Sequence, residues 1–546
     1  MRPLRPAAVA GALFVLAFAF RFFSYTGFAN DHFVHLARAQ QMLLGAWPVR
    51  DFVDPGMPLM YGVSAIGLLL FGHNLLGEAL IVFSALAGAA VLSLHAARTL
   101  SGSLPLAAAA ILLQVALYPH SYGYPKLLLS AAAIVMCWGY IDRPSPRRAA
   151  GLGLLVAVAF LFRHDHGVFI GAAAALAIAA AGRLRSRDAG VFAAATGVAV
   201  APWALLVAMS PGGVTGYITS ALEFSRIEAA QTYLAWPAFD IDPARGLWAG
   251  GGPGPGLPVG VNSEALLYYT FLALPLVALA WIAWKRDKVA PTPHAAAKLL
   301  VLVLLAVCVD AAFLRDPLDG RLPDVAVPLS VLAAWVAAAA VRELRARPAV
   351  VRIAGIVLLA AFGTCVTGAV TVVGQTREQI DRIGSLLPGD LAEKTTGTIR
   401  ALRVAYASER VPGATSLALA PVYDYLQRCT GPQDRLTYFG FAPEAYFFAA
   451  RGFGVGHVVY IGRYYSAAGE QELTIARLER ERVPLVVLPD PGDFREGFPL
   501  LASYLDASFS PAGQLELPGD RRAAILTTRR LPPTGTDTVT GWSCFR

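Results

Sequence analysis

Long apolar stretches of about twenty residues recur through the first two thirds of the chain, separated by short polar segments. That length is what an α-helix needs to cross a bilayer. The pattern predicts an α-helical polytopic membrane protein with about eleven transmembrane helices. The predicted spans are 7–23, 75–99, 104–117, 127–140, 151–162, 167–181, 191–209, 266–284, 299–314, 325–341 and 353–373.

Composition and charge support this class. Of the 546 residues, 56% are hydrophobic and 15% charged, which excludes an ordinary soluble protein. The formal net charge of +8 suits loops that face a membrane surface and predicts no nucleic-acid partner. With the N-terminus inside, the inner loops collect more arginine and lysine than the outer loops, as the positive-inside rule favours. The polar-rich loops and the C-terminal region then lie outside, where we expect the site.

The first outer loop, residues 24–57, contains a predicted amphipathic helix that opens near Asp31. Asp31, His35 and Arg38 recur at i, i+4 and i+7, so they share one face, directed to solvent or a cavity. One interpretation makes Asp31 a general base with supporting charge. The other is an interfacial helix whose aspartate stabilises the N-terminal dipole.

The same loop continues with Arg50, Asp51 and Asp54 before a Pro-Gly turn. The two aspartates are either a second acidic element of the site or residues that cap and turn the chain.

Four cations fall at outer helix ends, where they suit a lipid phosphate or pyrophosphate; single side chains that snorkel to the interface are the alternative. They are Lys126, Arg163, Arg315 and Arg321. A divalent metal is a second alternative, because histidine and carboxylate are common ligands. Its candidate ligands are His32, His35, His164 and His166.

Two further regions lie on the predicted outer face. The long loop 210–263, with its Gly-Pro repeat, is either a flexible connection or a mobile lid. Residues 376–546 alternate strand-like runs at 435–439, 457–461, 483–488 and 523–527 with helical stretches, which predicts a soluble α/β domain. Its Cys429 and Cys544 are expected to form a disulfide in an oxidising compartment, with two buried free thiols as the alternative.

The arrangement of the first 182 residues resembles the GT-C glycosyltransferases, in particular the bacterial branch related to protein O-mannosyltransferases and the aminoarabinose transferase. The resemblance rests on Asn30-Asp31-His32, on Arg50-Asp51-Phe52-Val53-Asp54-Pro55 with Pro58-Leu59, and on the Arg163-His164-Asp165-His166-Gly167 turn. Many of these enzymes have Asp-Glu where this chain has Asp31-His32, so the resemblance assigns no role to a second acid there.

The resemblance implies transfer of a sugar from a polyprenyl-phosphate carrier to a glycan, lipid or protein acceptor, at the outer face of a bacterial cytoplasmic membrane. It makes Asp31 the catalytic residue. We expect other polar residues of the outer loops to bind substrate: His35, Arg50, Asp51, Asp54, Tyr124, Lys126, Arg163, His164, Asp165, His166, Arg315 and Arg321. The alternatives are a lipid-linked oligosaccharide polymerase or ligase, and a non-enzymatic flippase or transporter of lipid-linked sugars.

Overall fold

The structure is a computed structural model. It describes residues 6–28, 30–184, 186–231, 235–240, 262–285, 292–315, 317–385, 387–403, 415–461, 465–489, 491–517 and 521–546. The chain divides into two compact units. Unit 1 comprises Met1–Tyr25, Ile81–Pro202 and Gln231–Thr395, and unit 2 comprises Thr26–Leu80, Trp203–Ala230 and Thr396–Arg546. The sequence also predicts a transmembrane domain at residues 1–375, and this domain and the soluble domain at 376–546 stay predictions.

The predominantly apolar part of the chain is helical, and its helices are listed in chain order. They are α1 (Pro6–Phe23), α2 (Asn30–Leu43), α3 (Pro58–Phe71), α4 (Leu76–Ser101), α5 (Leu104–Ala116), α6 (Tyr124–Asp142), α7 (Pro146–Phe162), α8 (His164–Ala180), α9 (Arg187–Met209), α10 (Gly213–Gln231), α11 (Ser263–Lys285), α12 (Ala295–Arg315), α13 (Ala326–Arg345) and α14 (Ala349–Val373). Two 3-10 helices, Ser121–Gly123 and Asp319–Val325, precede α6 and α13.

Each predicted span coincides with one of these helices, because the apolar runs and their flanking caps encode both. Ser145, for example, accepts a hydrogen bond from the Arg148 backbone N–H at the start of α7, with Pro146 at the first position. Within the described ranges, six helices are long and apolar enough to cross a membrane, and several shorter apolar helices accompany them. The chain is therefore a multi-pass membrane protein, while the count of eleven spans stays a prediction.

The long loop 210–263 is partly helical, since α10 occupies its first part. Residues 241–261, which include the Gly-Pro repeat, lie outside the described residues.

The remaining elements follow α14. The helices are α15 (Thr376–Ile383), α16 (Pro388–Arg403), α17 (Thr415–Cys429), α18 (Glu444–Phe448), α19 (Ala468–Arg480), α20 (Pro491–Gly497) and α21 (Pro499–Ser508). The strands are β1 (Arg435–Tyr438), β2 (Gly452–Phe453), β3 (Leu485–Pro489), β4 (Phe509–Leu517), β5 (Arg521–Thr528), β6 (Gly535–Thr536) and β7 (Ser543–Cys544).

A five-stranded mixed sheet organises the C-terminal part of unit 2. Its order is β2-β1-β3-β5-β4, with β1 parallel to β2 and β3, and with β5 antiparallel to β3 and β4. A buried apolar cluster joins β3 to α19, α20 and α21 through residues such as Val486, Leu478, Phe494 and Leu501. Burial of these side chains is the main stabilising contribution to this layer.

Most strand predictions match this sheet, but the strand predicted at 457–461 is wrong. That segment is irregular in the structure, and the short edge strand β2 precedes it. Val458 and Tyr460 are buried, which explains why the run is apolar. The apolar pattern reflects this burial and not hydrogen bonding to a neighbouring strand. Cys429 and Cys544 are joined by a disulfide, which ties the chain end to α17.

Candidate active site

Helix α2 is buried along nearly its whole length, so of the two environments predicted for its polar face, solvent or a cavity, burial excludes solvent for His35 and Arg38. Both side chains are buried, as is His32, and Asp31 in the first turn is exposed. These side chains can be buried because other residues of unit 2 supply polar and aromatic partners to that face of the helix.

Tyr61, from α3, connects the predicted residues of this region. Arg38 Nη1 donates to the Tyr61 hydroxyl at 3.1 Å, and that hydroxyl donates to Asp54 Oδ1 at 2.9 Å. The His35 ring stacks on the Tyr61 ring with centroids 5.9 Å apart. The structure therefore brings His35, Arg38 and Asp54 together around one buried phenol.

Asp54 holds the turn that starts α3. Its Oδ1 also accepts from the backbone N–H groups of Gly56, at 3.0 Å, and Met57, at 2.8 Å. These two bonds satisfy donors ahead of a helix that begins with proline, which is the capping role considered in the sequence analysis. The carboxylate is buried, and its Oδ2 makes no hydrogen bond to any described residue.

Arg50 and Asp51 form a neighbouring pair at the surface of the loop. Both Arg50 Nε, at 2.9 Å, and Nη2, at 2.6 Å, donate to Asp51 Oδ2. Partial burial acts to raise the pKa of Asp51, but the Arg50 hydrogen bonds and the Trp47 backbone N–H outweigh it, so the pKa lies below its usual value.

His32 is paired with a carboxylate that the sequence analysis did not single out. Its Nε2 lies 2.8 Å from Oε1 of Glu78, and the Ser64 hydroxyl donates to the same oxygen at 3.1 Å. Both His32 and Glu78 are buried. An acid thus does stand beside position 32, but it comes from the start of α4.

The Arg163–Gly167 turn of unit 1 begins α8. Arg163 Nε donates to both Asp165 oxygens, at 2.8 and 3.0 Å, and Asp165 Oδ1 also accepts the His166 backbone N–H at 2.7 Å. Gly167 is needed because a Cβ there would overlap the Phe160 backbone in α7. The tight connection of α7 to α8 therefore depends on this glycine.

Lys126, at the start of α6, joins this cluster. His166 Nε2 lies 3.1 Å from the Lys126 carbonyl oxygen and 3.1 Å from the Ser130 hydroxyl. The Lys126 ammonium pairs with Asp324, which precedes α13, and interacts electrostatically with Arg163 and Asp165. Unit 1 therefore gathers four of the predicted residues at adjoining helix ends.

Three further predicted residues belong to unit 1. Tyr124 packs edge-on against Phe162 with ring centroids 6.2 Å apart, and His164 Nδ1 lies 2.7 Å from the Phe160 carbonyl oxygen. Arg321 lies half-buried in the 3-10 helix beside Asp324. The side chain of Arg315, by contrast, lies outside the described residues.

A metal site needs several His, Cys, Asp or Glu side chains close together. Of the residues with described positions, one group could bring three such ligands together, Cys429, Asp537 and Cys544, and its sulfurs are already joined in the disulfide. Of the histidines proposed as alternative ligands, His32 contacts Glu78, His166 contacts Ser130, His164 contacts a backbone carbonyl, and His35 stacks on Tyr61.

Sequence reasoning missed Glu78, Tyr61, Asp324 and Arg21. Arg21 is buried near the end of α1, where its guanidinium lies 3.7 Å from the Tyr118 ring centroid. A charged residue inside an apolar run is itself a signal of a polar environment, and it would have identified Arg21 and Glu78. Nothing in the local pattern distinguishes Tyr61.

No protein-family model and no curated protein matches the sequence. Among solved structures, the chain is similar to ArnT from Cupriavidus metallidurans bound to undecaprenyl phosphate, with a TM-score of 0.50 at 16% identity, over 96% of this chain and 97% of that chain. For ArnT in the apo state the TM-score is 0.48 at 15% identity, over 96% and 98% of the two chains. The expectation about the fold is confirmed: this chain shares the fold of the ArnT structure bound to undecaprenyl phosphate.

Proposed function

We propose that the protein transfers a sugar from a polyprenyl-phosphate carrier to an acceptor at the outer face of a bacterial cytoplasmic membrane. The observation that carries the proposal is the fold, shared over nearly the whole chain with an ArnT structure that holds undecaprenyl phosphate. A donor anchored in the bilayer by its lipid tail also accords with the absence of any nucleotide-binding motif in the sequence.

Asp31 is the residue to which we assign the base. The resemblance to the GT-C glycosyltransferases makes the first-loop aspartate the catalytic residue, and the Asp31 side chain is exposed at the start of α2. The Asp31 carboxylate accepts the proton of an acceptor hydroxyl or amine, and the acceptor oxygen or nitrogen bonds to the anomeric carbon with inversion. The bond from that carbon to the phosphate oxygen breaks, and polyprenyl phosphate leaves.

The leaving phosphate is assigned to the cations of unit 1. Lys126, Arg163 and Arg321 lie at helix ends, and positive charge there stabilises the negative charge that develops on the phosphate oxygen. Asp324 and Asp165 pair with Lys126 and Arg163, so we assign both acids as positioning residues that hold these cations in place. Tyr124 and His164, which lie in the same unit, are proposed to shape the donor site.

The test measures release of polyprenyl phosphate by the purified full chain, supplied with polyprenyl-phosphate-linked sugars and an acceptor extract. Loss of a general base lowers turnover by roughly 10²- to 10⁴-fold, so Asp31→Asn should fall by that factor. The control is Asp51→Asn, which removes an acid of the same loop and should stay within about threefold of the native rate.

Equal turnover of native protein and Asp31→Asn would overturn the assignment of the base while leaving a transferase. Absence of release by the native protein, together with movement of lipid-linked sugar across proteoliposomes, would replace the transferase with the flippase alternative. Release that depends on a saccharide chain as acceptor would identify the polymerase or ligase alternative.

A further inference from the structure

A cleft of about 180 Å³ lies within unit 2, beside the end of α2 and the edge strand β2. Gln41, from α2, closes the free edge of β2: its side-chain amide donates to the Phe453 carbonyl at 3.2 Å and accepts from the Phe453 N–H at 3.1 Å. The cleft is smaller than a drug-sized pocket and suits a compact polar group. Its walls include Gly45, Arg50, Arg435, Gly454, Arg477 and Arg480.

The charges of this cleft do not balance. It is lined by the four arginines just named and by two carboxylates, Asp51 and Glu481. Arg50 pairs with Asp51, and Arg480 pairs with Glu481 at 3.1 Å. Arg435 and Arg477 form no ion pair with any described residue, although more distant carboxylates attract them: Glu481 acts on Arg435, and Glu470 and Asp51 act on Arg477. The residues that line the cleft therefore carry an excess of two positive charges.

Both unpaired guanidinium groups are seated against glycine backbone. A Cβ at Gly456 would overlap the guanidinium of Arg477, and a Cβ at Gly452 would come within 2.7 Å of Arg435 Nη1. Any side chain at these two positions of the Gly452-Phe453-Gly454-Val455-Gly456 segment would displace the arginines. The absence of side chains at these glycines therefore determines where the two guanidinium groups lie, and the same segment forms part of the cleft wall.

The two cations are partly buried, which is unfavourable without an anion. Burial lowers the pKa of the Arg435 and Arg477 guanidinium groups. Arg435 Nη1 is buried and makes no hydrogen bond to a described residue. A bound anion with several acceptor oxygens would satisfy these donors through charge-assisted hydrogen bonds.

We propose that this cleft binds a phosphate monoester group. A phosphate monoester carries about −1.5 to −2 charges at neutral pH, which matches the two excess positive charges, and its three oxygens suit two guanidinium forks. The group belongs either to a small soluble molecule or to a lipid headgroup. The site is independent of the proposed transferase activity, because binding there involves neither Asp31 nor the unit 1 cations.

The first arm titrates the full chain, purified in nanodiscs of phosphatidylcholine, with inorganic phosphate by calorimetry. The matched pair of variants is Arg477→Gln and Arg480→Gln, which remove the same charge from the same helix, α19. Arg480 is exposed and already paired. We expect saturable binding that Arg477→Gln weakens by about tenfold or more and Arg480→Gln by less than about threefold.

The second arm replaces phosphatidylcholine with phosphatidic acid, whose headgroup is a phosphate monoester, and measures competition with inorganic phosphate. Competition that disappears in Arg477→Gln identifies the lipid headgroup, and phosphate binding without competition identifies a soluble ester. Gly456→Ala keeps every charge but displaces the Arg477 guanidinium, so it should weaken binding like Arg477→Gln. If Arg477→Gln does not fold, Gly456→Ala provides the same test.

Two results would overturn the proposal. One is the absence of saturable phosphate binding and of phosphatidic acid competition in the native protein. The other is an equal loss of affinity in Arg477→Gln, Gly456→Ala and Arg480→Gln, since that would indicate diffuse attraction to positive charge and no built site.

Discussion

The polar clusters of the two units differ in whether their cations have an ion-pair partner. In unit 1, Lys126 faces Asp324 and Arg163 faces Asp165, so each cation has a carboxylate supplied by the fold. In the cleft of unit 2, Arg435 and Arg477 have no such partner among the described residues. A half-buried charge needs a counter-charge, so Lys126 and Arg163 are stabilised by the fold alone, whereas an anionic ligand would supply the counter-charge that Arg435 and Arg477 lack.

Breaking a completed pair should have the largest effect on stability. Asp324→Asn leaves Lys126 partly buried without its ion-pair partner, and loss of one member of a buried pair typically costs 3–5 kcal/mol. Because the Lys126 side chain retains 18% exposure, we expect about 3 kcal/mol. Thermal unfolding of the full chain in detergent measures it.

The matched control replaces both members of that pair. Lys126→Met with Asp324→Leu removes both charges, so the double variant should recover most of the stability lost by Asp324→Asn. A double variant as unstable as the single one would contradict the contrast between the clusters, because the cost would then come from packing.

Glu444 sharpens the contrast, since it is a buried carboxylate in unit 2 and no other described residue donates a hydrogen bond to its oxygens. Burial raises the pKa of Glu444 from 4.5 to about 7. Between these two values the folded chain keeps a proton that the unfolded chain has lost, so stability falls as pH rises through the window. Glu444→Gln should be about 2–3 kcal/mol more stable than native at pH 8 and equal to it below pH 4.5.

Urea unfolding at both pH values measures this difference. The neighbouring Tyr423→Phe variant serves as control, because it removes a buried hydroxyl without changing the carboxyl. If Glu444→Gln shows the native pH slope, another group titrates and the burial argument for Glu444 fails.

The sequence predicted what local patterns encode. Apolar runs located the membrane helices, and short β-like runs located β1, β3 and β5. It did not predict what covers α2, because the partners are remote: Gln41 bonds to Phe453, 412 positions away. Lys126 likewise meets Asp324, 198 positions away. Helical periodicity shows which residues share a face, but only the tertiary structure shows whether that face meets water or another polar group.

Variants of Asp54 test whether this carboxylate is structural or catalytic, and we expect them to lower stability less than the changes above. Asp54→Ala removes the acceptor of two backbone N–H groups and of the Tyr61 hydroxyl, which should cost about 2 kcal/mol. Asp54→Asn keeps an acceptor oxygen and should cost less than about 1 kcal/mol. If Asp54→Asn folds normally but abolishes polyprenyl phosphate release, Asp54 belongs to the chemistry and the capping interpretation is incomplete.

The smallest effect is expected for an ion pair that water already screens. Arg495 and Asp506 form a pair at 2.6 Å on α20 and α21, with more than half of each side chain exposed. Water and salt solvate these charges whether or not they are paired, so Asp506→Asn should leave the unfolding temperature within about 1 °C of native. Differential scanning calorimetry at low and high salt checks this. A salt-dependent loss as large as that of Asp324→Asn would mean that pairing matters regardless of burial, and the distinction drawn between the clusters would no longer hold.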